Sequence, residues 1–267
     1  MTAPTPTPDM VAAGYEGRLA VVVGGASGLG TAICRRLGDD GAHVVVADLD
    51  EVGAQRVADG LAHDGAVGHA HHVDVRDPRS VSELFAAIDG IGADLGVVVL
   101  SAAVETRASV VDCSDEEWRD VIDTNLKGPF LCMKEAVPRM VEAGGGSIVA
   151  LGSTLGQVVA PKYPAYCASK FGLTNLCKQV AIEHAKDNVR VNIVAPSACD
   201  TGLFVRMAEE SADPDAIRHM VTSNVPMGRL GRADEVCDAV AFLASDRSSY
   251  LSGAVLPLDG GLAARRT

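Results

Sequence analysis

The chain has 267 residues, 48% of them hydrophobic but only 4% aromatic, and a formal net charge of −12. That length supports a full core, and an apolar content built from small aliphatic residues suits helices packed closely on a buried parallel sheet. The acidic balance argues against nucleic acid and anionic membrane surfaces as partners. With no apolar run long enough to span a bilayer and no charged segment leading into an apolar one at the start, a cytoplasmic protein is expected.

Residues 1–16, which open on alternating Thr, Ala and Pro, cannot bury a core and are expected to be a disordered arm. Order begins near Gly17, with one domain over 17–262 and a short tail at 263–267. Short apolar runs predict strands at Leu19–Val23, His43–Ala47, Gly68–Val73, Leu95–Leu100, Ser147–Leu151, Val189–Val194 and Ala254–Pro257. Between them, helical patterns cover Leu29–Asp39, Glu51–His63, Pro78–Asp89, Asp115–Ala143, Ala165–Lys186 and Asp234–Ser245. Strand spacings that leave room for crossover helices predict an α/β fold, a doubly wound parallel sheet of the Rossmann type.

The first strand runs into Gly24-Gly25-Ala26-Ser27-Gly28-Leu29-Gly30 and then a helix. Glycines there let backbone approach a pyrophosphate, which the free N–H groups and dipole of the helix N-terminus attract. Asp48, at the tip of the second strand, is placed to accept from the adenosine ribose hydroxyls of NAD and to repel the 2′-phosphate of NADP, with neither Ser27 nor Leu49 supplying a cation. The alternative is a structural turn with Asp48 capping the next helix. Asp74-Val75 ends the third strand, and Asp74 reads either as a contact to the adenine amino group or as a cap for the helix at Pro78.

His69, His71 and His72 lie on one short strand with no carboxylate or thiol at a ligand spacing, so no metal site is expected. The seven cysteines are scattered without a paired spacing and read as buried thiols in a reducing compartment. Tyr166 and Lys170 stand one turn apart on a predicted helix. An ammonium about 4 Å from a phenol favours the phenolate by roughly 4 kcal/mol at an effective dielectric near 20, up to about three pKa units. That would make Tyr166 an acid or base, whereas Tyr163 has Cys167 four residues on and gains nothing.

The Gly-rich turn, the acid after the second strand and Tyr-x-x-x-Lys after the fifth together resemble the short-chain dehydrogenase/reductase family, over essentially 17–262. The resemblance implies a catalytic set of Asn125, Ser153, Tyr166 and Lys170, and a hydride transfer between NAD(H) and a small to medium, mostly apolar secondary alcohol or ketone. Ser153 would bond the substrate oxygen, Lys170 would also hold the nicotinamide ribose, and Asn125, which looks like the family's helix-interrupting asparagine, would position a water. Singly these residues also read as a strand-end turn, a surface cation and an ordinary helix polar group.

The implied cofactor site comprises Gly24, Ser27, Gly28, Leu29, Gly30, Asp48, Leu49, Asp74, Val75, Ser101, Ala102, Tyr166, Lys170, Pro196, Ser197, Cys199 and Thr201, for NAD in preference to NADP. The implied substrate pocket takes Ser153, Leu155, Tyr163, Ala198, Leu203, Phe204 and Met207, the last three on a short helix within 200–226 that lids the site. Glu105 and Arg107, the nearby charges, read as solvated. Val23, the Leu100-Ser101-Ala102-Ala103 segment and Ser197 depart from the family pattern and bear on cofactor affinity and pocket shape. A homotetramer is implied through the two long middle helices, with Ala165, Ala168, Gly172 and Ala181 allowing close approach. Two rivals remain: a 3-oxoacyl carrier-protein reductase, and a non-catalytic nicotinamide-binding sensor or scaffold.

Overall fold

A computed structural model describes residues 17–265; the expected arm at 1–16 and the end of the expected tail lie outside the described residues. Seven strands form one parallel sheet: β1 (Leu19–Val23), β2 (His43–Asp48), β3 (Val67–His72), β4 (Leu95–Leu100), β5 (Gly146–Leu151), β6 (Val189–Pro196) and β7 (Val255–Leu258). Their order is β3-β2-β1-β4-β5-β6-β7, so the winding reverses between β1 and β4. Each strand lies within two residues of its predicted bounds.

The helices are α1 (Gly28–Asp39), α2 (Glu51–His63), α3 (Pro78–Ile88), α4 (Asp115–Ile122), α5 (Gly128–Glu142), α6 (Pro164–Glu183), α7 (Gly202–Glu209), α8 (Pro214–Asn224) and α9 (Ala233–Ala244). Alternation along the strands sorts the core into two layers. Leu19, Val21 and Val23 face α3, α5 and α6, while Ala20 and Val22 face α1, α2 and α9. Both faces of the central strands are therefore dry, which is why β1 and β4 read as unbroken Val-rich runs.

Two predicted helices differ from what forms. The expected helix over Asp115–Ala143 is interrupted by a π-turn at Asp123–Lys127, between α4 and α5. Asn125 sits in that turn, fully buried, and its amide is committed outside the helix: Oδ1 accepts from Val104 N at 2.8 Å, and Nδ2 donates to Val104 O at 2.8 Å and to Ser169 Oγ at 3.2 Å. A π-turn shifts the register of the following side chains, and here it aims Asn125 at the loop after β4. The segment 200–226 forms two helices, α7 and α8, where one short helix was expected; Asp213 caps α8 by accepting from Ala216 N.

Of the small residues expected to form a pairing face on α6, Ala168 is exposed and Gly172 half-buried. Ala165 and Ala181 are buried in the core and Gly172 packs on Leu126, whereas Phe171 and Ile182 are exposed. On β3, His69 Nε2 is buried without a hydrogen-bond partner, and no group of residues suited to holding a metal ion occurs among the described residues.

Candidate active site

A cavity of about 790 Å³ opens at the carboxyl ends of the strands, beside the β1/β4 reversal where doubly wound sheets bind ligands. Of the residues read from the sequence as cofactor or substrate contacts, only Gly30 is not on its wall; among the expected catalytic residues, Asn125 is not.

One end of the cavity is a backbone cradle. Gly24 has φ +85°, and a Cβ there would lie 2.4 Å from Ala102 N; at Gly30 a Cβ would fall 1.9 Å from Gly24 O. Only glycine lets the turn fold this tightly against both β4 and its own helix. Ser27, the N-cap of α1, makes no side-chain capping bond, whereas α2, α3 and α4 are capped by Asp50, Asp77 and Ser114. The N-terminal amides of α1 thus face the cavity without a protein acceptor from their own cap, the arrangement that suits a phosphate. Asp48 borders the cradle: its Oδ2 accepts from Ala26 N at 2.9 Å and its Oδ1 from Asp50 N at 3.0 Å. These contacts hold the carboxylate beside the turn, on the cavity wall.

Asp74 does not cap α3; Asp77 does, accepting from Arg79 N. The Asp74 carboxylate is instead paired with Arg76 (Nη2–Oδ2 2.9 Å), which also reaches Asp120, and the guanidinium holds its carboxyl below the usual range. Ser101 N and Ala102 N both donate to Val23 O, at 2.8 and 2.9 Å. Main chain therefore ties β1 to the end of β4, with no side-chain amide from Leu100 or Ser101 needed.

At the other end, Tyr166 and Lys170 descend from α6 into the floor, 7% and 3% exposed. Ser153, just past β5, faces the Tyr166 phenol, whose pKa it pulls down, and its Oγ accepts from Leu155 N at 3.1 Å. Lys170 Nζ donates to Leu151 O at 2.8 Å and lies 5.6 Å from the Tyr166 ring centroid. The expectation that Lys170 brings the phenol pKa down meets an opposing effect of burial. Burial dominates and pushes the phenol up, the Glu105 charge adds to that, and Ser153 pulls the other way. Lys170 itself is lowered by burial to about 8. The ammonium is near the ring, and burial disfavours the charged form of each group.

The remaining wall joins Leu155, Tyr163, Ala198, Leu203, Phe204 and Met207. Tyr163 Oη donates to Met207 Sδ at 3.5 Å, and its ring meets Tyr166 edge-on with centroids 6.3 Å apart. The wall is not uniformly apolar. Glu105, expected to be solvated, lines the cavity half-buried, its carboxyl raised by burial against the pull of Arg206 and Arg107. Arg206, on α7, also borders the cavity and was not anticipated, because the fold of 200–226 gave no periodic signal to orient it. Asn125 stands behind the wall and grips Val104, the neighbour of Glu105.

This chain matches the family described as Enoyl-(Acyl carrier protein) reductase over residues 24–263. It is 39% identical to the cis-4-hydroxycyclohexanecarboxylate dehydrogenase of Sinomonas cyclohexanicum, over 94% of this chain and 98% of that protein. It is 34% identical to the 3-oxoacyl-(acyl-carrier-protein) reductase FabG of Escherichia coli, over 93% and 98% respectively. Among solved structures, a gluconate 5-dehydrogenase from Burkholderia cenocepacia in complex with NADP and tartrate aligns with a TM-score of 0.90 at 26% identity, covering 97% of this chain and 100% of that one.

Proposed function

Because this chain belongs to the short-chain dehydrogenase/reductase family, and is thereby an oxidoreductase that binds a nicotinamide cofactor, we propose that it is an NAD-dependent dehydrogenase of a small to medium secondary alcohol, running in reverse as a ketone reductase. The observation that carries this reading is the meeting of Tyr166, Ser153 and Lys170 on the floor of a cavity whose far end is the glycine cradle and Asp48.

When bound, the nicotinamide supplies the hydride acceptor or donor. In the proposal, Ser153 and Tyr166 hold the substrate oxygen between two hydroxyls, and Tyr166 takes or returns its proton. Lys170 acts through Tyr166. Its charge is costly in this burial, and a phenolate beside it relieves that cost, so phenolate and ammonium favour one another. Asn125 is a positioning residue, since its amide is spent on Val104 and Ser169. The cradle of Gly24, Ser27, Gly28, Leu29 and Gly30, with Thr201 across from it, would hold the pyrophosphate. Asp48 supports NAD over NADP, since a fixed carboxylate repels a 2′-phosphate.

Changing Tyr166 to Phe tests the reading: NAD binding should persist and turnover should fall at least about 10²-fold. Activity within a few-fold of the parent would end it. The similarity to FabG favours a second reading, a 3-oxoacyl carrier-protein reductase. The net charge of −12 and the acidic Glu183 and Asp187 near the end of α6 weigh against docking an acidic carrier. The proposal extends to a cytoplasmic homotetramer. Its support is the exposure of Phe130 on α5 and of Phe171 and Ile182 on α6, and seven cysteines that are all free.

A further inference from the structure

We propose that Glu105 is a specificity-determining residue that accepts a hydrogen bond from a second hydroxyl of the substrate, next to the reacting carbon, so that the preferred substrate is a vicinal diol or the matching hydroxyketone. This rests on the dehydrogenase reading above and narrows its substrate class.

Glu105 follows Val104, whose N–H and C=O are both clamped by Asn125, so its backbone is held over the cavity by a buried anchor. Its side chain lines the cavity together with Tyr163 and Tyr166, and its charge is felt by both phenols. Yet the carboxylate has no hydrogen-bond partner among the described residues. Arg206 and Arg107 attract it from a distance, but neither forms an ion pair with it. With no protein donor of its own, the half-buried carboxylate keeps its acceptor capacity for a molecule seated in the cavity.

The substrate oxygen that reacts is fixed by Tyr166 and Ser153 in the proposed function. Glu105 therefore meets a different polar group of the same molecule, and because its neighbour Val104 packs against the cluster that holds Tyr166, that group lies on the carbinol side of the substrate. The acceptor-only chemistry of a carboxylate selects a donor and repels an acid. A neutral hydroxyl satisfies it, while the apolar body of such a substrate fits against Leu155, Leu203, Phe204 and Met207.

The test compares cyclohexanol, a vicinal cyclohexanediol and the vicinal hydroxycyclohexane carboxylate, each with NAD and with NADP, in the full chain and in the Glu105→Leu, Glu105→Gln and Tyr166→Phe variants. The unmodified protein should favour the diol over cyclohexanol in kcat/KM by about 10- to 100-fold, the range for one hydrogen bond to a charged acceptor. Glu105→Leu should bring that ratio to within about 3-fold of unity, Glu105→Gln should leave an intermediate preference through its amide carbonyl, and Tyr166→Phe should lower both alcohols together. Equal use of diol and cyclohexanol by the unmodified protein, a preference that survives Glu105→Leu, or a hydroxy acid used better than the diol would each overturn the assignment. Calorimetric titration of the diol, with and without reduced cofactor, gives a readout that does not depend on turnover. If no alcohol is oxidised, the dehydrogenase reading falls, and the titration still decides: diol binding weakened at least about 10-fold by Glu105→Leu supports the role of Glu105, and equal binding refutes it.

Discussion

Replacing Lys170 with Met isolates what it costs to hold an ammonium at the floor of the cavity. Lys170 is 3% exposed, its Nζ donates to Leu151 O, and burial lowers its pKa from 10.5 to about 8. A difference of this size corresponds to about 3 kcal/mol between the folded and unfolded proteins. The sign follows from the order of the two values. The folded protein holds the proton less tightly than the unfolded chain, so the charge destabilises the fold fully below about pH 8, and the penalty recedes as pH rises from there toward 10.5. The Met side chain fills nearly the same volume without a charge, but it orphans the Leu151 carbonyl at about 1–3 kcal/mol. Lys170→Met should therefore be as stable as the parent or more so at pH 7, by up to about 2 kcal/mol. About 2 kcal/mol of that relative gain should disappear by roughly pH 9.5, where the parent sheds most of its penalty. Urea unfolding of both proteins at the two pH values, followed by far-ultraviolet circular dichroism, measures the change directly. A stability difference that does not vary with pH would refute the reasoning. Turnover should fall in the same variant, so that Lys170 emerges as a residue kept at the expense of stability.

If Asp48 reads the ribose as proposed, Asp48→Ala should weaken NAD more than NADP; parallel losses in cofactor titrations would show that Asp48 does not discriminate between them. Asn125→Ala leaves the Val104 N–H and C=O without their partner beside a fully buried position, and should destabilise the fold by about 2–4 kcal/mol in urea unfolding. A loss below about 1 kcal/mol would mean that the loop after β4 is held by something else.

Where one face of an element is dry, the pattern of residues was enough to find it. The unbroken apolar runs of β1 and β4 could only be strands buried on both faces, and the glycines before α1 could only be a tight turn ahead of a helix. The break in the middle of the Asp115–Ala143 pattern carried no such mark in periodicity, and only the family resemblance, through Asn125, pointed to it. It exists because Asn125 finds three partners on other segments, and those partners are brought near by the sheet. The segment 200–226 was opaque for a similar reason: Phe204 and Ala208 are buried, but α8 buries no residue completely, so its pattern never shows a strong face.

The chain itself determined which groups can meet. One turn of helix always brings Tyr166 and Lys170 to the same face, and a strand-turn-helix with these glycines always leaves a cradle for phosphate, because both follow from local backbone geometry. The energetics of those groups, by contrast, belonged to the tertiary structure. Through-space proximity along α6 predicts a lowered phenol pKa, whereas burial in the packed cavity pushes Tyr166 up and brings Lys170 down. The same holds for Glu105, an exposed acid on any local reading, which the Asn125 anchor and the walls from α6 and α7 turn into a polar group of the substrate cavity. Which atoms can meet is written into local spacing, whereas how much water remains around them depends on residues far apart in the chain.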